Sequence, residues 1–283
     1  MTALSRLARI GELPLRPTEL GRLAALAGGV LGEAGEGTQI LLISTATPLT
    51  GEVLDTLPAL RHVALCGTSY GRIDLDALQR RGITTSNVAD YSDETTAEVI
   101  FMQLVAVARG YAPVQWRAES HDLLGKRLLI VGLGALGSAV AHLGLAYGMQ
   151  VSHLSRSAKP QWEARGVRRA ARPDAFAEAD IVVVTGPTGA PLVTADDLAQ
   201  LHDAILLQAS GGRVIDDAAF REWITRGDNA AIFDLAAGED VYADYAQLPR
   251  VVFPRAISGL SDESRQRLGE QVIAHVTAAM SPH

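Results

Sequence analysis

One cysteine, Cys66, in a chain of 283 residues leaves no partner for an intramolecular disulfide and no thiolate set for a zinc cage. Cationic surplus is missing too. With 25 Lys and Arg against 32 Asp and Glu, the formal net charge is −7, which argues against a nucleic-acid or anionic-membrane binder built on a broad basic face. The segment after Met1 has neither the basic start nor the apolar core of a secretory signal, so a reducing cytoplasm is the expected setting. Low-complexity tracts and internal repeats are also absent. The longest stretch without Asp, Glu, Lys or Arg, Leu128 to Val151, is 24 residues and long enough to span a bilayer on paper. Gly132, Gly134, Gly137, Gly144 and Gly148 break it up, so it reads as strand, tight turn and buried helix.

What remains is globular: 48% hydrophobic and 20% charged residues, enough for one large or two medium domains. Short apolar runs alternate with helical stretches. In the first third these are Gln39 to Ser44, Val53 to Leu57, His62 to Cys66, Leu75 to Arg81 and Ile83 to Asn87, the pattern of a parallel sheet covered by helices. A helix is expected from Thr95 to Ala108, with Ser92 or Asp93 capping it. The pattern lapses between Arg109 and Gly125 and resumes at Arg127. Apolar residues at Leu268, Val272, Ile273 and Val276 suit a closing amphipathic helix that packs back onto the first domain. The expectation is α/β, with two Rossmann-like lobes of parallel sheet flanked by helices. A discontinuous, flavodoxin-like substrate domain (1–108 plus 258–283) would embrace a dinucleotide-binding Rossmann domain (109–257).

Val131-Gly-Leu-Gly-Ala-Leu-Gly137 carries the chemistry. In a G-x-G-x-x-G turn between strand and helix, Gly132 permits the turn, Gly134 lets backbone approach a pyrophosphate, and Gly137 lets helix and strand pack closely. The helix N-terminus, with Leu136, offers free N–H groups to the phosphates. An NAD site would end the next strand in Asp or Glu; here it ends Leu154-Ser-Arg-Ser157, with no acid to repel a 2′-phosphate. Ser155, Arg156 and Ser157 therefore favour NADP(H) over NAD(H). Alternatively, Arg156 is only a solvated loop residue.

Taken in order, several segments resemble the D-isomer-specific 2-hydroxyacid dehydrogenases over nearly the whole chain. They are Thr45-Ala-Thr-Pro-Leu-Thr50, Cys66-Gly-Thr-Ser-Tyr-Gly-Arg-Ile-Asp74, Asn87 to Glu94, the Gly132 fingerprint, Thr185-Gly-Pro187, Leu206 to Asp216, Asp234 with Glu239, and Phe253-Pro-Arg255. The resemblance implies a small-molecule substrate and a homodimer, with no nucleic acid, membrane or metal. It also implies that the loop of Gly67, Thr68, Ser69 and Tyr70 holds a substrate carboxylate through backbone N–H groups, with Arg72 as a further anion partner. Pro187 and Asp234 would serve the adenosine and nicotinamide ends of the cofactor.

The family's catalytic arginine and histidine are missing. Gly211 occupies the arginine position, with Arg213 two residues along, and Arg255 or Ala256 occupies the histidine position. Arginine stays protonated and cannot shuttle a proton near neutral pH. Glu239 matches the family's glutamate, and either acts as acid or base through a burial-raised pKa or pairs with Arg255. Tyr70, Tyr242, Tyr245 and Ser258 are other candidate proton donors, whereas Cys66 reads as a small core residue. Three functions follow: an NADP(H)-dependent oxidoreductase that delivers hydride to a carbonyl, imine or conjugated C=C through non-standard residues, a catalytically silent nucleotide-binding protein, or an ordinary 2-hydroxyacid dehydrogenase with shifted residues.

Overall fold

A computed structural model describes residues 6–187, 191–254 and 257–281. The elements run β1 (Leu7–Ile10), α1 (Pro17–Leu26), β2 (Ile40–Ser44), α2 (Gly51–Asp55), β3 (His62–Cys66), α3 (Leu75–Arg80) and β4 (Thr84–Ser86). They continue with α4 (Asp93–Arg109), β5 (Arg127–Val131), α5 (Ala135–Ala146), β6 (Gln150–Leu154), α6 (Pro160–Glu163), β7 (Arg168–Arg169), α7 (Asp174–Ala177) and β8 (Ile181–Val184). The chain closes with α8 (Ala195–Gln200), β9 (Ile205–Gln208), α9 (Asp217–Trp223), β10 (Ala230–Phe233), α10 (Glu239–Tyr245), β11 (Val251–Val252) and α11 (Asp262–Met280).

Two compact units result, residues 1–91 with 261–283, and residues 92–260. The first is a parallel sheet in the order β1-β2-β3-β4. The last helix completes it: Leu268, Val272 and Val276 are buried with Leu7, Leu23, Ile40 and Leu42, and Ser261 and Ser264 cap its start reciprocally.

The second unit holds a sheet in the order β11-β10-β9-β8-β5-β6-β7 with parallel pairing throughout. Strand side chains alternate between its faces. Leu128 and Ile130 join α4 and α5 in one core, while Leu129 and Val131 join Phe220, Trp223 and Tyr245 in the other. Two sequence expectations need correction. Helix α4, assigned to the first domain, belongs to the second unit: Ala97, Ile100, Phe101 and Leu104 are buried with Leu128, Val140 and Ala141. The first unit thus ends at Tyr91 rather than residue 108, and resumes at Ser261 rather than residue 258. The stretch from Arg109 to Gly125, where the sequence pattern lapses, packs into the second unit as well. Trp116 within it is fully buried and donates its indole N–H to the Asp203 carbonyl at 3.0 Å. Among the described residues, no helix is long and apolar enough to cross a membrane.

Candidate active site

Chain order reverses in the second sheet between β5 and β8, and the carboxyl ends of β5, β6 and β8 open there into a cavity of about 850 Å³. Such switch points are where open α/β sheets receive ligands. The turn from β5 to α5 forms one wall, and its glycines are there for different reasons. Gly132 has φ +102°, and a Cβ on it would lie 2.9 Å from the backbone of Gly186. A Cβ on Gly137 would lie 2.1 Å from the Gly132 carbonyl oxygen. At Gly134 a Cβ would meet no atom within 4 Å, because this residue faces the cavity. The N–H groups of Gly134, Ala135 and Leu136, at the start of the 12-residue helix α5, have no hydrogen-bond partner among the described residues. This is a cradle for an anion, and a pyrophosphate fits it.

Across the cavity lie Leu154, Ser155, Arg156, Ser157 and Lys159, with Arg172, Pro187 and Leu192 beyond. No Asp or Glu is among the described residues that line it. Two of its three cations were missed in the sequence. Lys159 is one of two lysines in the whole chain, and Arg172 follows the two-residue edge strand β7. Arg172 is anchored by Asp197 at 2.5 Å and by the Leu192 carbonyl at 2.6 Å, with its side chain 41% exposed. Ser155 is less available than expected, since its hydroxyl donates to the Ser157 carbonyl at 2.7 Å.

In the first unit, the loop after β3 presents another donor set. The N–H groups of Thr68, Ser69 and Tyr70 make no hydrogen bond among the described residues. The loop is held in place: Thr68 Oγ1 donates to the Val88 carbonyl at 3.0 Å, Asn87 donates to the Thr68 carbonyl at 2.7 Å, and the Gly67 carbonyl accepts from Val88 N–H at 3.0 Å. Exposed Arg72 donates to the Ala46 carbonyl at 3.0 Å. Cys66 is buried, and burial pushes its thiol up to about 12, which suits a core residue.

The loop after β9 holds Gly211 and Arg213. Arg213 pairs with Asp244, with Asp240 at 3.2 Å and with Asp217 at 3.6 Å, which commits it to α9 and α10. Its guanidinium is engaged there and not left free beside Gly211. Gln208, buried and singled out by no motif, donates to the carbonyls of Ser210 at 3.0 Å and Gly212 at 2.6 Å. Asp234 is buried, and its two oxygens accept from Ala236 N–H at 2.7 Å and Ser258 N–H at 3.0 Å. Glu239 is exposed in the first turn of α10, so the burial that its acid–base role required is absent. Tyr245 donates to Asp217 at 2.6 Å, and burial together with that bond raises its phenol above the usual value. Arg255 lies outside the described residues, as does Ala256. Among the described residues, no cluster of His, Cys, Asp or Glu is placed to hold a metal ion.

Comparison with known proteins agrees with this geometry. The profile described as "D-isomer specific 2-hydroxyacid dehydrogenase, catalytic domain" matches residues 24–282. A glyoxylate reductase of Thermococcus kodakarensis is 28% identical over 259 residues, covering 81% of this chain and 76% of that protein. Among solved structures, a glyoxylate reductase from Paecilomyes thermophila shares the fold with a TM-score of 0.81 at 22% identity, covering 99% of this chain and 96% of that one. An acyclic imino acid reductase in complex with NADPH and D-Arg has a TM-score of 0.79 at 20% identity, covering 96% and 95%. A profile match that takes in the second sheet, β2 to β4 of the first and the glycine turn between β5 and α5 makes this chain a member of the D-isomer specific 2-hydroxyacid dehydrogenase family, and an NAD(P)-dependent oxidoreductase.

Proposed function

We propose that the protein is an NADP(H)-dependent reductase of a small anionic molecule, acting on an imine in preference to an ordinary 2-keto acid. The observation that carries the cofactor preference is the cavity wall: Arg156, Lys159 and Arg172, the last paired with Asp197 behind it, with no Asp or Glu among the described lining residues. In this reading the pyrophosphate lies on the N–H groups of Gly134 to Leu136, between Gly132 and Gly137. The 2′-phosphate lies among Arg156, Ser157, Lys159 and Arg172, beside Ser155. Pro187 borders the adenosine, and Asp234 fixes the chain at the nicotinamide end. When bound, the reduced nicotinamide supplies a hydride. The substrate carboxylate docks on the free N–H groups of Thr68, Ser69 and Tyr70, since backbone donors do not depend on side-chain identity, and Arg72 adds positive potential.

Imine chemistry is favoured by what stands in the loop after β9. A keto acid needs a guanidinium to polarise its carbonyl, and Gly211 offers none while Arg213 is held by three carboxylates. A protonated imine brings its own positive charge, so a guanidinium facing it would repel it. That a neighbour in the same fold is an imino acid reductase in complex with NADPH supports the reading. The proton is already on the nitrogen, so neither Glu239 nor Arg255 has to deliver one. Met102, Tyr111, Leu124 and Tyr147, large apolar side chains exposed on the second unit, favour a homodimer.

Titration with NADPH and NADH tests the cofactor assignment first. NADPH is expected to bind at least about tenfold tighter, a gap of about 1.4 kcal/mol. Binding of neither would sink the assignment and leave a catalytically silent protein. Turnover of 2-imino acids formed from 2-keto acids and amines, compared with the keto acids alone, then separates imine from carbonyl reduction.

A further inference from the structure

Beneath the cavity wall, among the described residues, lies one buried side-chain nitrogen or oxygen with no hydrogen-bond partner: Nε2 of His153. This residue is fully buried in β6, between Ile130 of β5 and Arg169 of β7. Its Nδ1 lies 3.1 Å from Ser155 Oγ, which lies 2.7 Å from the Ser157 carbonyl oxygen. A hydroxyl has one proton and a carbonyl can only accept, so Ser155 donates to Ser157. The contact to His153 is then made by an Nδ1–H donor, and Nε2 carries the unused lone pair. Burial holds the ring's pKa below the usual histidine value; Glu163 opposes this, while Arg169 and Lys159 add to it. The ring is therefore the neutral Nδ1–H tautomer.

A buried acceptor without a partner is a cost that a leucine at this position would not carry. What a leucine lacks is the donor to Ser155. We infer that His153 is a positioning residue that sets cofactor preference: through Ser155 it fixes the turn that places Arg156 and Ser157 in the cavity wall. The inference rests on the NADP(H) reading. The other end of the turn is also held, because Leu154 accepts from Gly132 N–H at 2.8 Å, so the relay joins the ribose end of the wall to the glycine turn. An arginine on a loop already ordered loses less conformational freedom when it meets a phosphate. NADH has no 2′-phosphate and draws nothing from that order.

The test uses the full chain and fluorescence titration with NADPH and NADH on wild type, His153→Leu, His153→Asn and Ser155→Ala, with a thermal midpoint for each. His153→Leu and Ser155→Ala are expected to raise the NADPH dissociation constant about tenfold while leaving NADH within about twofold. His153→Asn places an amide N–H where Nδ1–H stood, and is expected to return NADPH to within about threefold of wild type. If His153→Leu weakens both cofactors alike, or if asparagine and leucine behave the same, the histidine is a packing residue and the inference falls. Should His153→Leu fail to fold, His153→Met, which likewise lacks the donor, decides, and an unchanged NADPH-to-NADH ratio there overturns the proposal. A wild type that binds both cofactors equally refutes the NADP(H) reading itself, and only the wild-type arm can report that.

Discussion

Gly134 and Gly137 stand three residues apart in one turn, yet the structure assigns them opposite consequences when each becomes alanine. At Gly137 the new methyl would sit 2.1 Å from the Gly132 oxygen, 3.1 Å from its carbonyl carbon and 2.9 Å from Thr185 Oγ1. Two of those three atoms are backbone and cannot rotate away, so the start of α5 has to move off β5 by roughly 1 Å. Overpacking of this kind costs about 1–3 kcal/mol. The displacement also breaks the bond from Thr185 Oγ1 to the Gly132 oxygen, 2.6 Å long, worth about 1 kcal/mol. A loss of about 3 kcal/mol lowers the thermal midpoint by about 6–12 °C in a domain of this size. At Gly134, with φ −86° and ψ −154°, alanine is sterically allowed and meets no protein atom within 4 Å. Its effect on stability is expected to be about zero, or a gain of up to 1 kcal/mol from the stiffer unfolded chain. The methyl instead occupies the space into which a pyrophosphate must come, so NADPH binding should weaken at least about tenfold. Circular dichroism melts and fluorescence titration read the two effects separately. Gly134→Ala with full NADPH affinity, or with a melting loss equal to that of Gly137→Ala, would refute this account of the site.

Arg213→Ala should leave turnover unchanged and cost about 1 kcal/mol or less, because its carboxylate partners are solvent-exposed; a collapse of kcat would instead place this guanidinium at the substrate. Stability should fall in two acid steps. His153 and His62 have folded pKa values lowered by burial, so their contribution is complete above about 6.5, the usual histidine value, and is lost as pH drops through the folded values. Glu19 is held below its usual 4.5, first by the hydrogen bonds from Arg16, so its contribution is present above that pH and disappears below it. Melts recorded from pH 8 to 3 check both, and His153→Leu should shrink the upper step alone. Cys66, with its thiol pushed up to about 12, should resist alkylation at pH 8 in the native protein, where the thiolate fraction is about 10⁻⁴. Rapid labelling without unfolding would contradict its burial.

Much of the fold was legible because parallel sheets write themselves into sequence as short apolar runs, and Leu128 to Val131 or Ile181 to Val184 admit little else. Helix α4 shows where legibility stops. Its apolar stripe through Ala97, Ile100, Phe101 and Leu104 says that one face is buried, but periodicity carries no information about which sheet receives it. The answer lies in Gly144 of α5, where a Cβ would meet Leu128 at 2.8 Å, Val151 at 3.0 Å and Phe101 at 3.8 Å. The glycine lets α5 press onto β5 and β6 with Phe101 of α4 in ordinary contact beside it, and that arrangement belongs to the elements together. The same holds for the cavity. Arg156 could be read because it follows a strand directly, whereas Lys159 and Arg172 reach the wall from turns beside α6 and β7, elements of four and two residues too short to leave a pattern.

The loop after β9 carries the argument furthest. An offset of two residues between Gly211 and Arg213 leaves sequence alignment undecided about whether a guanidinium serves the substrate, and only the acids on α9 and α10 decide it. Nor is the loop slack where the arginine is missing. Gln208 ties down the carbonyls of Ser210 and Gly212, Ser210 Oγ donates to the Gly186 carbonyl at 2.7 Å, and Gly212 N–H donates to the Ala237 carbonyl at 3.0 Å. A rigid frame around a glycine holds the position open, and a small substituent in a fixed cleft selects by what the ligand brings. A neutral carbonyl finds no charge there to polarise it. A cationic imine needs none, so the proposed substrate class follows from this loop, in which Gly211 stands where the resemblance would put the arginine.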